Sequence, residues 1–281
     1  MKLMMFVKHV QDVGIARAAQ RMRELGFDGI DLTVRDNGSI LPANVKRELP
    51  DAVKLIRSLG LQVPLLTTNI LRADEQAIAI LQAASSLGIG EIKLGYHKYE
   101  SFGTFKQNLA GMQRDLDGIE QLAKHWKIRA NLHIHSNDHM TAQSAIVWHL
   151  IKDRDPSAIG AYVDPGHMTV EGGRDGWRQG LDLLADRIAL VAVKDLIWEQ
   201  TPDPELGKAR WKPRVVPLRE GIVPWPDVFA CLRKLNFDGW VSVHSEYAAM
   251  NSAQVFGQTK DDLSYLREVI DRVWSNSTSK L

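Results

Sequence analysis

One pattern is written repeatedly along the chain: a helical stretch, a short turn and a brief apolar run, returning at intervals of roughly thirty residues, the length of one βα unit. Its clearest copies are RELGFDGIDL (Arg23 to Leu32), RSLGLQVPLL (Arg57 to Leu66) and SSLGIGEIKL (Ser85 to Leu94). Looser copies follow in AKHWKIRANLHI, DPSAIGAYV, LADRIALVAV and RKLNFDGWVSV. In the first three, glycine follows the last helical leucine, the usual place for a left-handed helix C-cap. The apolar runs are about five to seven residues long, which suits strands covered on both faces. Between them lie stretches with helical spacing, such as DEQAIAILQAASSL from Asp74 and TFKQNLAGMQRDLDGIEQLAKHW from Thr104. Strands that alternate with helices predict parallel βα units.

Eight candidate strands follow: residues 3–9, 28–35, 62–68, 91–96, 129–135, 159–164, 188–195 and 239–246. Eight units in 281 residues predict a single-domain (β/α)8 TIM barrel over residues 1–275, close to that fold's usual size of roughly 250 residues. A doubly wound open sheet is the alternative. It would want a glycine-rich phosphate turn after the first strand, and none follows Phe6-Val7-Lys8-His9. One long irregular stretch, residues 198–224, carries Pro202, Pro204, Pro213, Pro217 and Pro224. It falls after the seventh strand, where a barrel places loops over its active face. The C-terminal NSTSKL (276–281) is expected to fray.

Composition excludes several classes. The 35 basic and 34 acidic residues nearly cancel, which argues against a nucleic-acid protein working through a broad basic face. One cysteine, Cys231, leaves no disulfide framework, CxxC chemistry or cysteine-based zinc site. The opening has six apolar residues before Lys8, too few for a signal sequence. No apolar run approaches the ~18 needed to span a bilayer. The expectation is a cytoplasmic protein with no membrane or nucleic-acid partner. A homo-oligomer is compatible with the sequence, which sets no subunit number.

Side chains two apart on a strand share a face. That rule puts Asn131, His133 and His135 together on the fifth strand, Tyr162 with Asp164 on the sixth, and Ala192 with Lys194 on the seventh. The eighth gathers Ser242, His244 and Glu246, the second Asp31, Thr33 and Arg35, and the fourth Glu91 and Lys93. In each case the apolar set fits the helix layer and the polar set fits the barrel interior. The polar groups crowd towards the C-terminal strand ends, where barrel enzymes keep their chemistry. Asp31 and Glu91 have a second reading, as paired structural groups near the barrel floor. Of Lys8 and His9, one should face inward. His97 could touch a ligand from its loop, whereas His125, His139 and His149 read as surface or packing residues. Trp198, Trp211 and Trp225 flank the proline-rich loop, where a ring could stack on a sugar or simply pack.

At DPGHMTVEGG, VKDLIW and SVHSEY the chain resembles the xylose-isomerase-like TIM barrels, the sugar isomerase and epimerase superfamily that also includes the endonuclease IV type. GFDGIDLTVRDNG, VPLLTTNI, VPLREGIVPW and GWVSVHSEY carry the likeness from the second strand to the eighth. In sugar epimerases of that superfamily, Glu, Asp, His and Glu at four strand ends hold one divalent metal. The resemblance places His133 at the first position, Asp164 at the second with His167 after it, Ala192 at the third and His244 at the fourth, with Glu246 two residues on. One family ligand of four is kept.

Two readings of the site follow. In one, His133, Asp164 and His244 bind a single divalent metal (Zn, Mn or Fe), for which imidazole and carboxylate are suitable donors. In the other no metal is bound and Lys194 supplies the cation, aided by Arg35 or Lys93. The resemblance implies an isomerase or epimerase of a carbohydrate, polyol or keto-sugar that moves a proton through an enediolate. His133 and Glu246 would be the acid/base pair and Lys194 the oxyanion partner. Arg35, Lys93, His135, His167 and Arg219 would bind substrate. The alternatives are a keto-sugar lyase or hydratase using the same residues, and a degenerate barrel that binds carbohydrate without turnover. DNA repair of the endonuclease IV kind needs several metals and more ligands than these strands carry.

Overall fold

The computed structural model describes residues 1–205 and 207–275; the tail at 276–281, expected to fray, lies outside the described residues. Eight parallel strands close into a barrel: β1 (Lys2–Phe6), β2 (Gly29–Val34), β3 (Gln62–Thr68), β4 (Glu91–Lys93), β5 (Arg129–His133), β6 (Ile159–Val163), β7 (Ile188–Val193) and, after an excursion, β10 (Trp240–Val243). Each pairs in parallel with its neighbour in the sequence, and β1 closes the ring on β10. The barrel inferred from the repeat is therefore the observed fold.

Eight helices, α1 (Gly14–Leu25), α2 (Val45–Ser58), α3 (Glu75–Ser86), α4 (Phe105–Trp126), α5 (Ser144–Ile151), α6 (Pro165–Leu183), α7 (Trp225–Lys234) and α8 (Ser252–Ser275), accompany the strands. Helix α2 shows why: Val45, Leu49, Ala52, Val53 and Ile56 recur at three- and four-residue spacing and are all buried. The three repeat glycines sit at φ +86° (Gly26), +79° (Gly60) and +67° (Gly88), so each reverses the chain out of a helix as the repeat predicts. No helix among the described residues is long and apolar enough to cross a membrane.

Strand parity builds two cores. Outward residues such as Ile30, Leu32, Leu132, Val241 and Val243 join the main helix–strand core. Inward residues Met4, Leu65, Tyr162, Leu190 and Ala192, with Trp240 against them, fill the lower barrel. This plug leaves the upper interior to polar side chains.

The stretch expected to be irregular is not. From Asp195 the chain forms an antiparallel ribbon, β8 (Asp195–Asp203) and β9 (Lys208–Val216), in which Trp198 faces Pro213 and Pro202 faces Ala209. Prolines read as loop markers, but a two-stranded ribbon has two edges, and a missing N–H costs nothing where it would point away from the partner strand. The barrel strands are also shorter at their C-terminal ends than the apolar runs suggest: β5 stops at His133, and β10 stops at Val243. His135, His244 and Glu246 thus stand on loop residues just past the strands.

Candidate active site

Asp31 anchors the floor of the polar layer. Its Oδ1 accepts from Thr67 Oγ1 at 2.6 Å and its Oδ2 from Ser242 Oγ at 2.9 Å, and burial pushes its pKa up. Glu91 accepts from Arg129 at 2.6 Å and from Asn131 at 2.8 Å. Both carboxylates are tied to neighbouring strands, as the structural reading of them predicts.

Above this floor lies a ring of imidazoles and phenols. The Tyr96 hydroxyl is hydrogen-bonded to His133 Nδ1 at 2.6 Å, and the His133 ring stacks on Tyr162 with centroids 4.3 Å apart. Tyr162 Oη is 2.8 Å from His244 Nε2, and Phe6 packs on the His244 ring at 4.7 Å. Burial, then the nearby Lys194 charge, holds His133 well below the usual imidazole range. His133 is therefore neutral at physiological pH. His135 is lowered to about 4 by burial and Lys194, and stacks on His167 at 3.9 Å.

A chain of alternating charges crosses the ring. Asp164 caps α6, its Oδ1 accepting from the His167 amide, while Oδ2 lies 3.2 Å from Lys194 Nζ and 3.3 Å from His133 Nε2. Lys194 Nζ is 3.9 Å from Glu246 Oε1, whose carboxylate also faces His244 Nδ1 at 3.6 Å and Lys8 Nζ at 3.7 Å. Burial would raise Asp164 and Glu246, but Lys194 together with the neighbouring imidazoles and, for Glu246, Lys8 outweighs it, and both are held below their ordinary values. Burial alone would lower Lys194; Asp164 and Glu246 outweigh that and raise it. This buried lysine is an ammonium ion.

Side chains from all eight barrel strands or their ends enclose a cavity of about 50 Å³, lined by Lys8, Arg35, Lys93, His133, His135, Lys194, His244 and Glu246 among others. It is small enough that an occupant touches several walls at once. Eight of the ten residues expected at the site thus meet around one point, Asp164 standing directly behind Lys194 and His133. Two expectations need correction. His167 does not line the cavity: its Nδ1 lies 2.7 Å from Ser136 Oγ, and it is buried behind Asp164 as a support. Arg219 is on the outer surface, paired with Glu268 on α8 at 2.8 Å and stacked over Tyr265. The cause is local: the Leu218 amide donates to Asp262 of α8, which fastens this loop to the helix layer and turns Arg219 outward. Trp225 packs, giving its Nε1–H to Asp195 Oδ2 at 2.8 Å, and His97 bonds Asp115.

The proposed metal set of His133, Asp164 and His244 does not converge. His133 and Asp164 approach each other, but His244 is turned to Tyr162 and Glu246. Among the described residues no three His, Cys, Asp or Glu side chains are placed to hold a metal ion. The Lys194 ammonium stands against the Asp164 oxygen where a cation would bind, and Ala192, two residues earlier on the same face of β7, offers no donor. The donor set does not fit a divalent metal.

Phe6, Thr67, Tyr96 and Tyr162 complete the lining. Tyr96 carries the closest contact to His133 and was not singled out from the sequence. It lies three residues past the end of β4, where two-residue parity no longer applies, so no periodic signal marks it.

A family model described as xylose isomerase-like TIM barrel matches residues 19–269. No curated protein matches the chain. Among solved structures, apo 3-keto-D-glucoside 4-epimerase YcjR from E. coli is 18% identical with a TM-score of 0.71, over 95% of this chain and 99% of that one. The probable 3-DHS dehydratase AsbF from Bacillus anthracis is 17% identical with a TM-score of 0.70, over 94% and 99%. A xylose isomerase-like TIM barrel protein from Mycobacterium smegmatis in complex with magnesium is 15% identical with a TM-score of 0.69, over 97% of each chain. At these identities the likeness is one of fold.

Proposed function

The chain belongs to the xylose isomerase-like TIM barrel family, and from that premise we infer that it is a carbohydrate isomerase or epimerase that moves a proton beside a carbonyl through an enediolate. The observation that carries this reading is the Lys194 ammonium set between two carboxylates, 3.2 Å from Asp164 and 3.9 Å from Glu246, at the mouth end of the barrel. The epimerase activity of a structural relative points the same way.

Glu246, unprotonated at neutral pH, takes the proton from the carbon next to the carbonyl. The electron pair moves onto the carbonyl oxygen, and Lys194 donates a charge-assisted hydrogen bond to it as negative charge develops. Little reorganisation is needed, because Asp164 already fixes the ammonium. Neutral His133, oriented by Tyr96, has an Nε2 that faces Asp164 Oδ2 at 3.3 Å but makes no hydrogen bond among the described residues, and it can carry a proton between the two enediolate oxygens. Glu246 then returns its proton to the neighbouring carbon. Of His133 and Glu246, expected to be an acid/base pair, the first is a neutral imidazole and the second a carboxylate in the free protein. That favours a one-base shift between adjacent carbons over a two-base inversion, which needs one partner protonated beforehand.

The test is proton exchange in deuterated water. Purified protein is incubated with a panel of ketoses and aldoses, and loss of the C–H signal next to the carbonyl is followed by NMR. Exchange is expected, and it should disappear in Glu246→Gln with the circular dichroism spectrum unchanged. Inertness of a folded protein towards the whole panel would overturn the assignment. Release of water to give an unsaturated product would move it to the lyase or hydratase class.

A further inference from the structure

We propose that the substrate is an anionic sugar, a keto-sugar carrying a carboxylate or phosphate group, and that Lys93 and Arg35 on the β2–β4 wall of the cavity hold that group. This rests on the proton-transfer reading for the rest of the substrate and adds to it a charge class.

The argument is an accounting of cations. Four basic side chains line the cavity: Lys8, Arg35, Lys93 and Lys194. Lys8 faces Glu246 at 3.7 Å and Lys194 faces Asp164 at 3.2 Å, which uses both nearby carboxylates. Arg35 and Lys93 are left over. Lys93 is 1% exposed, and among the described residues its Nζ has no hydrogen-bond partner and lies 3.5 Å above the Tyr96 ring centroid. Among the described residues Arg35 forms no ion pair; its guanidinium lies 5.8 Å from the Phe6 ring centroid. Asp31, one layer down, has its oxygens taken by Thr67 and Ser242, and burial raises its pKa, so it is a poor counter-charge. Burial and the neighbouring guanidinium accordingly hold the Lys93 pKa well down.

Neither group is there by accident of flexibility. The Arg35 amide donates to Ile40 O and Gly38 packs so closely on the Arg35 stem that an added Cβ would stand 3.1 Å from Cγ. Lys93 is the last residue of β4, its direction fixed by strand parity. A buried amine beside a guanidinium, with only the hydrogen-bonded Asp31 as a nearby acid, is a costly place for a positive charge, and an arriving anion favours the ammonium form and relieves that cost. The same wall stands across the cavity from Lys194 and Glu246. A charged tail on Lys93 and Arg35 would therefore orient the carbonyl end towards the base.

Calorimetric titration with three six-carbon probes tests this: 5-keto-D-gluconate, D-fructose 6-phosphate and D-fructose, each with wild type, Arg35→Met and Lys93→Met. At least one anionic probe should bind about tenfold or more tightly than D-fructose, the scale of one desolvated charge contact. That probe should lose about tenfold in affinity in each variant, and its wild-type affinity should fall with added salt. Which acid wins separates carboxylate from phosphate. Equal binding of all three probes, no binding of either acid, or an anion preference that survives both variants would overturn the inference. So would a borohydride-trapped adduct on Lys93, which would make the amine a nucleophile instead of a cation. Binding is read without turnover. An acid that binds but undergoes no exchange would sink the reaction and leave this site standing, and exchange with neutral ketoses alone would do the reverse. Arg35 lies at the cavity edge, so its variant keeps the test open if Lys93→Met fails to fold.

Discussion

Replacing Lys194 by methionine keeps the stem and deletes the ammonium that both carboxylates face. At 3.2 Å and an effective dielectric constant of about 20, the attraction to Asp164 is roughly 5 kcal/mol, and that to Glu246 at 3.9 Å roughly 4 kcal/mol. Desolvation of the ammonium offsets much of this. Breaking a buried pair from one side costs about 3–5 kcal/mol, because the partner is left charged and alone. Asp164 is fully buried, so the upper half of that range is expected. Urea titration at pH 7, followed by circular dichroism and tryptophan fluorescence, measures the loss. The double variant Asp164→Asn/Lys194→Met should recover a good part of it, since no lone carboxylate is left. The deficit of the single variant should also shrink in acid. Without Lys194, the strongest influence lowering Asp164 is gone and burial raises its pKa, so the variant accepts a proton as the pH falls and the lone charge disappears. A single variant within about 1 kcal/mol of wild type, or a double variant no more stable than the single, would refute the picture of a charged, coupled pair.

Lys93→Met should do the opposite for stability, raising it by about 1–3 kcal/mol, because an uncompensated buried amine gives way to an apolar side chain of similar length; a lower urea midpoint in the variant would contradict this. Stability should fall as the pH drops from about 6.5 towards 4. His135 titrates at about 4 in the folded protein, and His133 and His167 are lowered as well, whereas an unfolded chain protonates all three near 6.5. The native state therefore binds fewer protons across that window, and acid favours unfolding. Asp195, raised to about 6, works the other way, as do Asp31 and Asp262, which burial also raises, but these three carboxyls stand against five imidazoles, since His9 and His139 are lowered too. Urea midpoints at pH 7.5, 6 and 5 should decline in order, less steeply in His135→Gln, and a rise across that series would be inconsistent with neutral buried imidazoles.

The barrel was legible because its signal is both local and repeated. A helix that ends in Leu-Gly before a short apolar run specifies one βα unit, and eight such units close in only a few ways. Most of the site was legible for a related reason. His133, Asp164 and Lys194 lie on or next to strand ends, where two-residue parity still tells inside from outside. The signal failed where parity lapsed. Tyr96 lies in a loop and reaches His133 by tertiary placement alone. His167 follows Asp164 closely in the chain, but the first turn of α6 carries it behind that carboxylate, towards Ser136. Arg219 was misplaced because nothing near it in sequence announces that Asp262, 44 residues on, holds its neighbour Leu218 against α8.

The sequence by itself determined that the chain is a barrel with an ionisable lining, because hydrophobic periodicity is a property of neighbours along the chain. Which charges meet was decided only by closure of the ring. The Lys194 ammonium sits against Asp164 and near Glu246, while among the described residues Lys93 and Arg35 form no ion pair. Coulomb energies depend on distances of a few ångströms across the barrel, and those distances exist only once strands far apart in sequence have been brought side by side.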